Sequence, residues 1–263
     1  MVIDDGSAKP VDDIVESYQD SRLSYHWRPH SGLALTRQYG ASIATGRMIC
    51  FLDDDDYILP NHLASFYDAS LMYGVERTLF KVGTIEETAG GLQKKMPLFR
   101  NDQSALRQHW KRPEGIFPYA IPLKYARAIP SLNYFLAEDF NWLGRLMLKL
   151  EVRQLGVYTA VYRVHRSNRS IFQLSKDSLA ERIRAVVELY DTAPTDTIIS
   201  RDAYKRMLTH QCLHVVRQCV RHGDYNLAMY GVGKAFKYFT LSAYGEYART
   251  FKLIITRVLS PWA

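Results

Sequence analysis

Along the first two thirds of the chain the apolar positions switch between periods of two and of about 3.6; beyond that they keep the helical period alone. Met1-Val2-Ile3 is a short apolar run ended by Asp4-Asp5-Gly6-Ser7, which predicts the end of a buried strand and its turn. A short helix over 10–18, a strand over 23–28, a helix over 32–46 and a strand over 47–52 follow. Pro60 then opens a helix, PNHLASFYDASLMYG, at the position where a missing N–H costs nothing. Residues 78–84 read as another strand, and 85–115 as a polar loop region with a short helix over 104–110. PEGIFPYAIP, residues 113–122, holds too many prolines for a regular element. From Glu138 an amphipathic helix sets Trp142, Leu143, Leu146 and Leu150 at helical spacing, and 157–164 is a strand. Such alternation predicts an α/β fold with a mostly parallel central sheet, whose ligands gather at the carboxyl ends of strands. After Leu174 the pattern is an all-helical extension, with helices over 174–192, 201–222, 226–240 and 243–259.

Charge sharpens this division into 1–172 and 173–263. Ten Lys or Arg stand against three acids after residue 200, so the whole net charge of +7 falls in the last quarter. A basic helical segment rich in Phe, Tyr and Trp, including Trp262, fits peripheral contact with an anionic membrane through 201–263; packing on the rest of the chain or on a partner subunit is the plainer alternative. Nucleic acid is not expected, because no recognition motif accompanies the charge. Three cysteines without metal-ligand spacing point to a reducing, cytoplasmic setting, and Cys212 and Cys219 share one helix face as core residues. No apolar run approaches the roughly 18 residues of a membrane span.

The chemistry concentrates in FLDDDDYILP, residues 51–60, where an apolar strand runs into Asp53, Asp54, Asp55 and Asp56. Four adjacent carboxylates repel, and a divalent cation is the simplest relief. Carboxylate oxygens suit Mg2+ or Mn2+, which in turn grip phosphate, so a nucleotide diphosphate is the expected substrate class. No Gly-Lys-Ser phosphate loop is present, which weakens a phosphoryl-transfer reading.

In order, VIDDGS, GLALTRQYGASIATG, FLDDDD with Pro60, AEDFNWLGRL and YRVHRSNRS resemble the motifs of family 2 glycosyltransferases of the GT-A fold, over residues 1–170. The resemblance implies inverting transfer of a sugar, of hexosyl type, from a nucleotide diphosphate to a saccharide, lipid-linked or protein acceptor in cell-surface glycan assembly. By that resemblance Asp5 binds the nucleobase and Asp4 supports its loop, Arg37 contacts the nucleotide, a surface salt bridge being the plainer alternative, and Asp54 lies beside it. Asp53 and Asp55 match the outer acids of the Asp-x-Asp metal motif, and His165 matches a histidine that ligates the metal or touches the diphosphate. Asp139 is the general base, with Glu138 orienting it, and Arg163, Arg166 and Arg169 are diphosphate neighbours. Trp142 is either a sugar platform or core.

Two departures matter. His30-Ser31 and Gln38 stand where the family shows asparagines. The family also begins one strand and one helix earlier, and that strand lies mid-sheet. Either the chain is a truncated reading of a longer protein, the favoured alternative, or the sheet re-forms with residues 1–3 beside 47–52. The first carries loss of activity as a consequence to test. A non-catalytic binding or scaffold module is the competing function.

Overall fold

A computed structural model describes residues 1–132, 137–165, 174–193 and 198–259. Its elements are β1 (Val2–Asp4), α1 (Asp12–Ser17), β2 (Tyr25–Trp27), α2 (Leu33–Ile43), β3 (Met48–Cys50), β4 (Tyr57–Ile58), α3 (His62–Tyr73), β5 (Thr78–Thr88), β6 (Gln93–Lys95), α4 (Ala105–Lys111), β7 (Tyr119–Pro122), α5 (Leu123–Ala128), α6 (Glu138–Met147) and β8 (Glu151–Val164). Four long helices follow: α7 (Lys176–Thr192), α8 (Arg201–His222), α9 (Tyr225–Lys237) and α10 (Tyr244–Leu259). The chain divides into two compact units. Met1–Ile85, Lys95–Leu98 and Gly115–Tyr162 form the first; Glu86–Lys94, Phe99–Glu114 and Arg163–Ala263 form the second.

The α/β class and the helical C-terminal region are as expected, but the sheet is mixed rather than mostly parallel. β1 pairs with β2 in parallel, whereas β3·β7, β5·β7 and β4·β8 are all antiparallel. Strand-helix alternation implies parallel neighbours only where a helix crosses between two strands. That pattern fails at β7, which arrives from the 89–118 stretch and inserts between β3 and β5 in the order β3-β7-β5-β8-β4. The proline-rich segment dismissed as irregular thus holds a central strand. It can do so because Pro118 precedes the strand and Pro122 is its last residue, so neither interrupts the ladder. Ala120 sits opposite both Cys50 and Phe80, and Phe80, Val82, Phe117, Ala120 and Ala160 build one core with Phe66 and Ala69 of α3.

The re-formed sheet is not found. Residues 2–4 pair with 25–27, and 48–50 pair with 119–122, in separate sheets. The two-stranded sheet is tied instead to α2, where Gly40 lets the Ile3 side chain approach to 3.6 Å of its Cβ position.

The second unit is set by well-formed helix ends. Ser175 and Ser178 cap α7 reciprocally, Ser200 accepts from the Ala203 N–H to start α8, and Asp224 accepts from Leu227 to start α9. Gly223, at φ 80°, ends α8 in the left-handed conformation that glycine adopts without penalty. Cys212, Val216, Cys219 and Val220 of α8 pack with Leu227, Ala228 and Ala235 of α9 and Tyr247 of α10. Both cysteines are core residues, as the helical spacing requires, and burial pushes the Cys212 thiol up to about 12. Trp110 of α4 donates to the Ala203 carbonyl, and Tyr190 stacks on Tyr204 at 4.1 Å. No helix among the described residues is long and apolar enough to cross a membrane.

Candidate active site

The site begins with α2, whose buried face is Ala34, Arg37, Gly40 and Ala41. Three of these are small, so the helix packs closely and carries the Arg37 side chain inward, leaving the residue 6% exposed. A buried guanidinium needs anions, and Arg37 has two. Its Nη2 donates to Asp53 Oδ1 at 2.7 Å, and its Nη1 donates to Asp139 Oδ1 at 2.5 Å. Burial works against its charge, but Asp139 and Asp53 raise its pKa above the ordinary arginine value. Arg37 is therefore aimed at the two carboxylates. The sequence carries a signal for this arrangement: a single arginine at the spacing of Ala34 and Ala41 lies on a core face and requires acids nearby.

Asp53 follows β3, and the Asp56 N–H donates to its carbonyl at 3.2 Å, so the four acids form a turn. Asp54 is exposed, Asp55 half-buried and Asp56 buried. Repulsion in this cluster is thus relieved in part by a guanidinium and a turn. Among the described residues no three His, Cys, Asp or Glu side chains are grouped to hold a metal ion. Asp53 and Asp55 still have the right donor chemistry, since Mg2+ is commonly held by one or two carboxylates plus substrate phosphates.

Asp139 stands in the first turn of α6, with Glu138 buried beside it. Its Oδ2 accepts the Ile116 N–H at 3.1 Å, and a Cβ at Gly115 would lie 3.3 Å from the same oxygen. Gly115 and Ile116 are neighbours that sequence reasoning passed over; the glycine within the proline-rich stretch was the available sign. Trp142, at 1% exposure, meets Phe51 edge-on at 5.5 Å and donates to the Ile129 carbonyl, which makes it core rather than a sugar platform.

Asp5 is built into the start of α2. Its Oδ1 accepts from Ser31 N and Oγ, both at 2.9 Å, and its Oδ2 accepts from Gly32 N at 2.8 Å. His30 lies 3.0 Å from Oδ2. Burial alone would raise the Asp5 pKa, but the hydrogen bonds from Ser31 and Gly32 hold it below the usual range. Asp4 is buried and accepts the Tyr25 hydroxyl at 2.6 Å and the Ser7 N–H at 2.7 Å, and these lower its pKa. Gly6 completes the turn at φ 85°, where a Cβ would come within 2.6 Å of His30 N. The His30-Ser31 departure is accounted for: both residues engage Asp5. Gln38 donates to the Ser131 carbonyl. From Gly32 to Arg37 is five residues, about 7.5 Å of helix rise, so one helix links the Asp5 turn to the Asp53 and Asp139 pair.

His165 belongs to the second unit, after β8, and lines a concavity of about 450 Å³ with Glu87, Thr88, Gly91, Arg163 and others. Arg166, Arg169 and Trp262 lie outside the described residues. A notch of about 500 Å³ in the first unit, lined by Arg47, Glu76, Lys124 and Arg127, adjoins the opposite end of β3 from Asp53. Its basic groups are engaged: Arg47 and Lys124 with Glu76, and Arg127 with the carbonyls that close α2.

Residues 1–114 match the model of glycosyl transferase family 2. EpsH of Bacillus subtilis (strain 168), described as a glycosyltransferase, is 36% identical over 64 residues, which is 24% of this chain and 19% of EpsH. S. aureus TarS 1–349 in complex with UDP-GlcNAc superposes with a TM-score of 0.61 at 13% identity, covering 97% of this chain and 80% of that one. The same protein with UDP gives 0.56, and in a longer TarS structure the match spans 48% of that chain. Residues 1–114 thus carry the match to glycosyl transferase family 2, on the GT-A fold that the chain shares with TarS.

Proposed function

We propose that this chain transfers a glycosyl group from a nucleotide diphosphate to an acceptor hydroxyl, with inversion at the anomeric carbon, in the assembly of a cell-surface glycan. The observation that carries the reading is the shared guanidinium of Arg37, which gathers a carboxylate at the end of β3 and one at the start of α6. Inverting transfer needs those two functions close together: one group on the departing diphosphate side and one base for the acceptor. Asp139 accepts the acceptor hydroxyl's proton as that oxygen bonds to the anomeric carbon. The bond from that carbon to the phosphate oxygen breaks, and its electron pair leaves with the nucleotide diphosphate. Arg37 and the Ile116 N–H fix the Asp139 carboxylate, leaving lone pairs on both oxygens for the incoming proton. Glu138 packs beside it as an orienting group.

Asp53 and Asp55 would hold Mg2+ or Mn2+, which when bound neutralises negative charge on the diphosphate. Asp5, with Asp4 behind it, orders the loop that receives the nucleobase. UDP-GlcNAc and UDP, the ligands of the structural neighbour, are the first donor and product to try. The acceptor is a saccharide, a lipid-linked saccharide or a protein, and the protein works at the inner face of a membrane. Calorimetric titration with UDP and a panel of nucleotide sugars, with Mn2+ and after chelation, tests this reading. Metal-dependent binding and slow donor hydrolysis are expected; no binding of any nucleotide sugar in either condition would overturn it.

A further inference from the structure

Helix α10 carries two apolar stripes. Ala243, just before it, with Tyr247, Thr250, Leu253 and Ile254 faces the core of the second unit. A second stripe, Tyr244, Ala248, Phe251 and Ile255, follows the i, i+4, i+7, i+11 spacing of one helix face and stays in solvent. Tyr244 is 69%, Phe251 42% and Ile255 55% exposed. This stripe does not stand alone. Phe236 and Phe239 each lie 5.5 Å from the buried Tyr247 ring, and Phe251 lies 6.4 Å from it, so three exposed rings surround one buried one. Leu241, at 82% exposure, projects from the connection between α9 and α10. Monomer surfaces seldom gather so many large apolar groups without a partner.

The charges around this face identify what covers it. Lys234, Lys237, Arg249, Lys252 and Arg257 belong to α9 and α10, and only Asp224 and Glu246 oppose them there. Glu246 is buried and already paired with Arg217, Arg249 and His210, while Asp224 caps α9. Asp202 of α8 accepts the Thr240 hydroxyl at one edge of the face, where Arg206 and Lys205 offset its charge; the rest of the solvent side is apolar and cationic. A second copy of the chain fits poorly, because a two-fold interface would set the same cations against each other. Aromatic rings flanked by Lys and Arg on an amphipathic helix suit the headgroup boundary of an anionic bilayer.

We infer that the face formed by Phe236, Phe239, Leu241, Tyr244, Phe251 and Ile255 docks the protein on anionic lipid, with Lys237, Lys252 and Arg257 supplying the electrostatic attraction. This rests on the second unit by itself and is independent of the sugar chemistry. The solvent stripe of α3 (Leu63, Tyr67, Leu71) has no comparable cations, and nothing in the structure shows what covers it.

Flotation of the full chain with vesicles of phosphatidylcholine alone, or of phosphatidylcholine with phosphatidylglycerol, tests the inference. Binding to the anionic vesicles only is expected, weakening with salt as the surface charges are screened. Phe251→Glu with Ile255→Glu should lower the bound fraction about tenfold, and Lys237→Gln with Lys252→Gln should remove most of its salt dependence. Leu71→Glu on α3 should change neither, and circular dichroism should match for all four proteins. Equal recovery with neutral and anionic vesicles, no recovery with either, or a concentration-dependent dimer abolished by Phe251→Glu would each overturn it.

Discussion

Replacing Arg37 with methionine keeps most of its volume and removes the charge that Asp53 and Asp139 share. The arginine side chain is 5% exposed, Asp139 23% and Asp53 35%, so the two pairs differ in how much solvent replaces the lost partner. Breaking a buried ion pair by removing one member costs about 3–5 kcal/mol, whereas a solvent-screened pair is worth about 1 kcal/mol or less. The Asp139 pair counts near the low end of the first range and the Asp53 pair within the second. Together they give a loss of about 3–4 kcal/mol in the first unit. At about 2–4 °C per kcal/mol for a domain of this size, its unfolding midpoint should fall by roughly 6–16 °C. Arg37→Lys retains the charge but lacks the fork that reaches both acids, and should lose about half as much. Differential scanning calorimetry separates the outcomes, and nucleotide-sugar turnover on the folded fraction gives a second readout. If Arg37→Met melts within 2 °C of the parent, about the shift of a merely surface pair, the ion-pair reasoning is refuted.

Three further outcomes follow from particular residues. His214 is half-buried near Arg182, His210, Arg217 and Arg221; desolvation first, then these charges, lower its pKa to about 3. The unfolded chain binds its proton near pH 6.5, so the second unit's stability should be full above that pH and fall toward pH 3; His214→Gln should flatten that slope in urea titrations. Gly231 of α9 lies where a Cβ would come 2.7 Å from Val216 Cγ2 in the core, so Gly231→Ala should cost about 1–2 kcal/mol, while Gly233→Ala, with open space, should gain about 0.5–1 kcal/mol in the same denaturation assay. Asp5→Ala removes the acceptors of Ser31 and Gly32 and should weaken nucleotide affinity about tenfold or more by calorimetry, with a stability loss of about 1–2 kcal/mol.

What the sequence revealed tracks how local the determinant was. Caps and helical spacing are local, and α3, α6 and the four long helices stand close to where their patterns put them. The Asp53 turn was legible because an apolar strand ran directly into it. β7 was not, since its pairing with β3 and β5 is set by strands over 30 residues away in sequence, and its prolines fall harmlessly at its ends. Arg37 was singled out, but its carboxylate partners were not recognised as such. Its partner Asp139 is 102 residues distant, and only the helix face shared with Ala34 and Ala41 hinted that the guanidinium points inward. Ile116 went unnoticed because a backbone donor leaves no side-chain signature.

The central claim is that Asp139 takes the acceptor proton, and its most direct test is single-turnover transfer by Asp139→Asn beside the parent. The asparagine is nearly isosteric, so donor affinity should stay within about threefold while transfer slows about 10²- to 10⁴-fold, the usual contribution of a positioned general base. Equal transfer rates in the two proteins, with matched donor binding, would contradict the account.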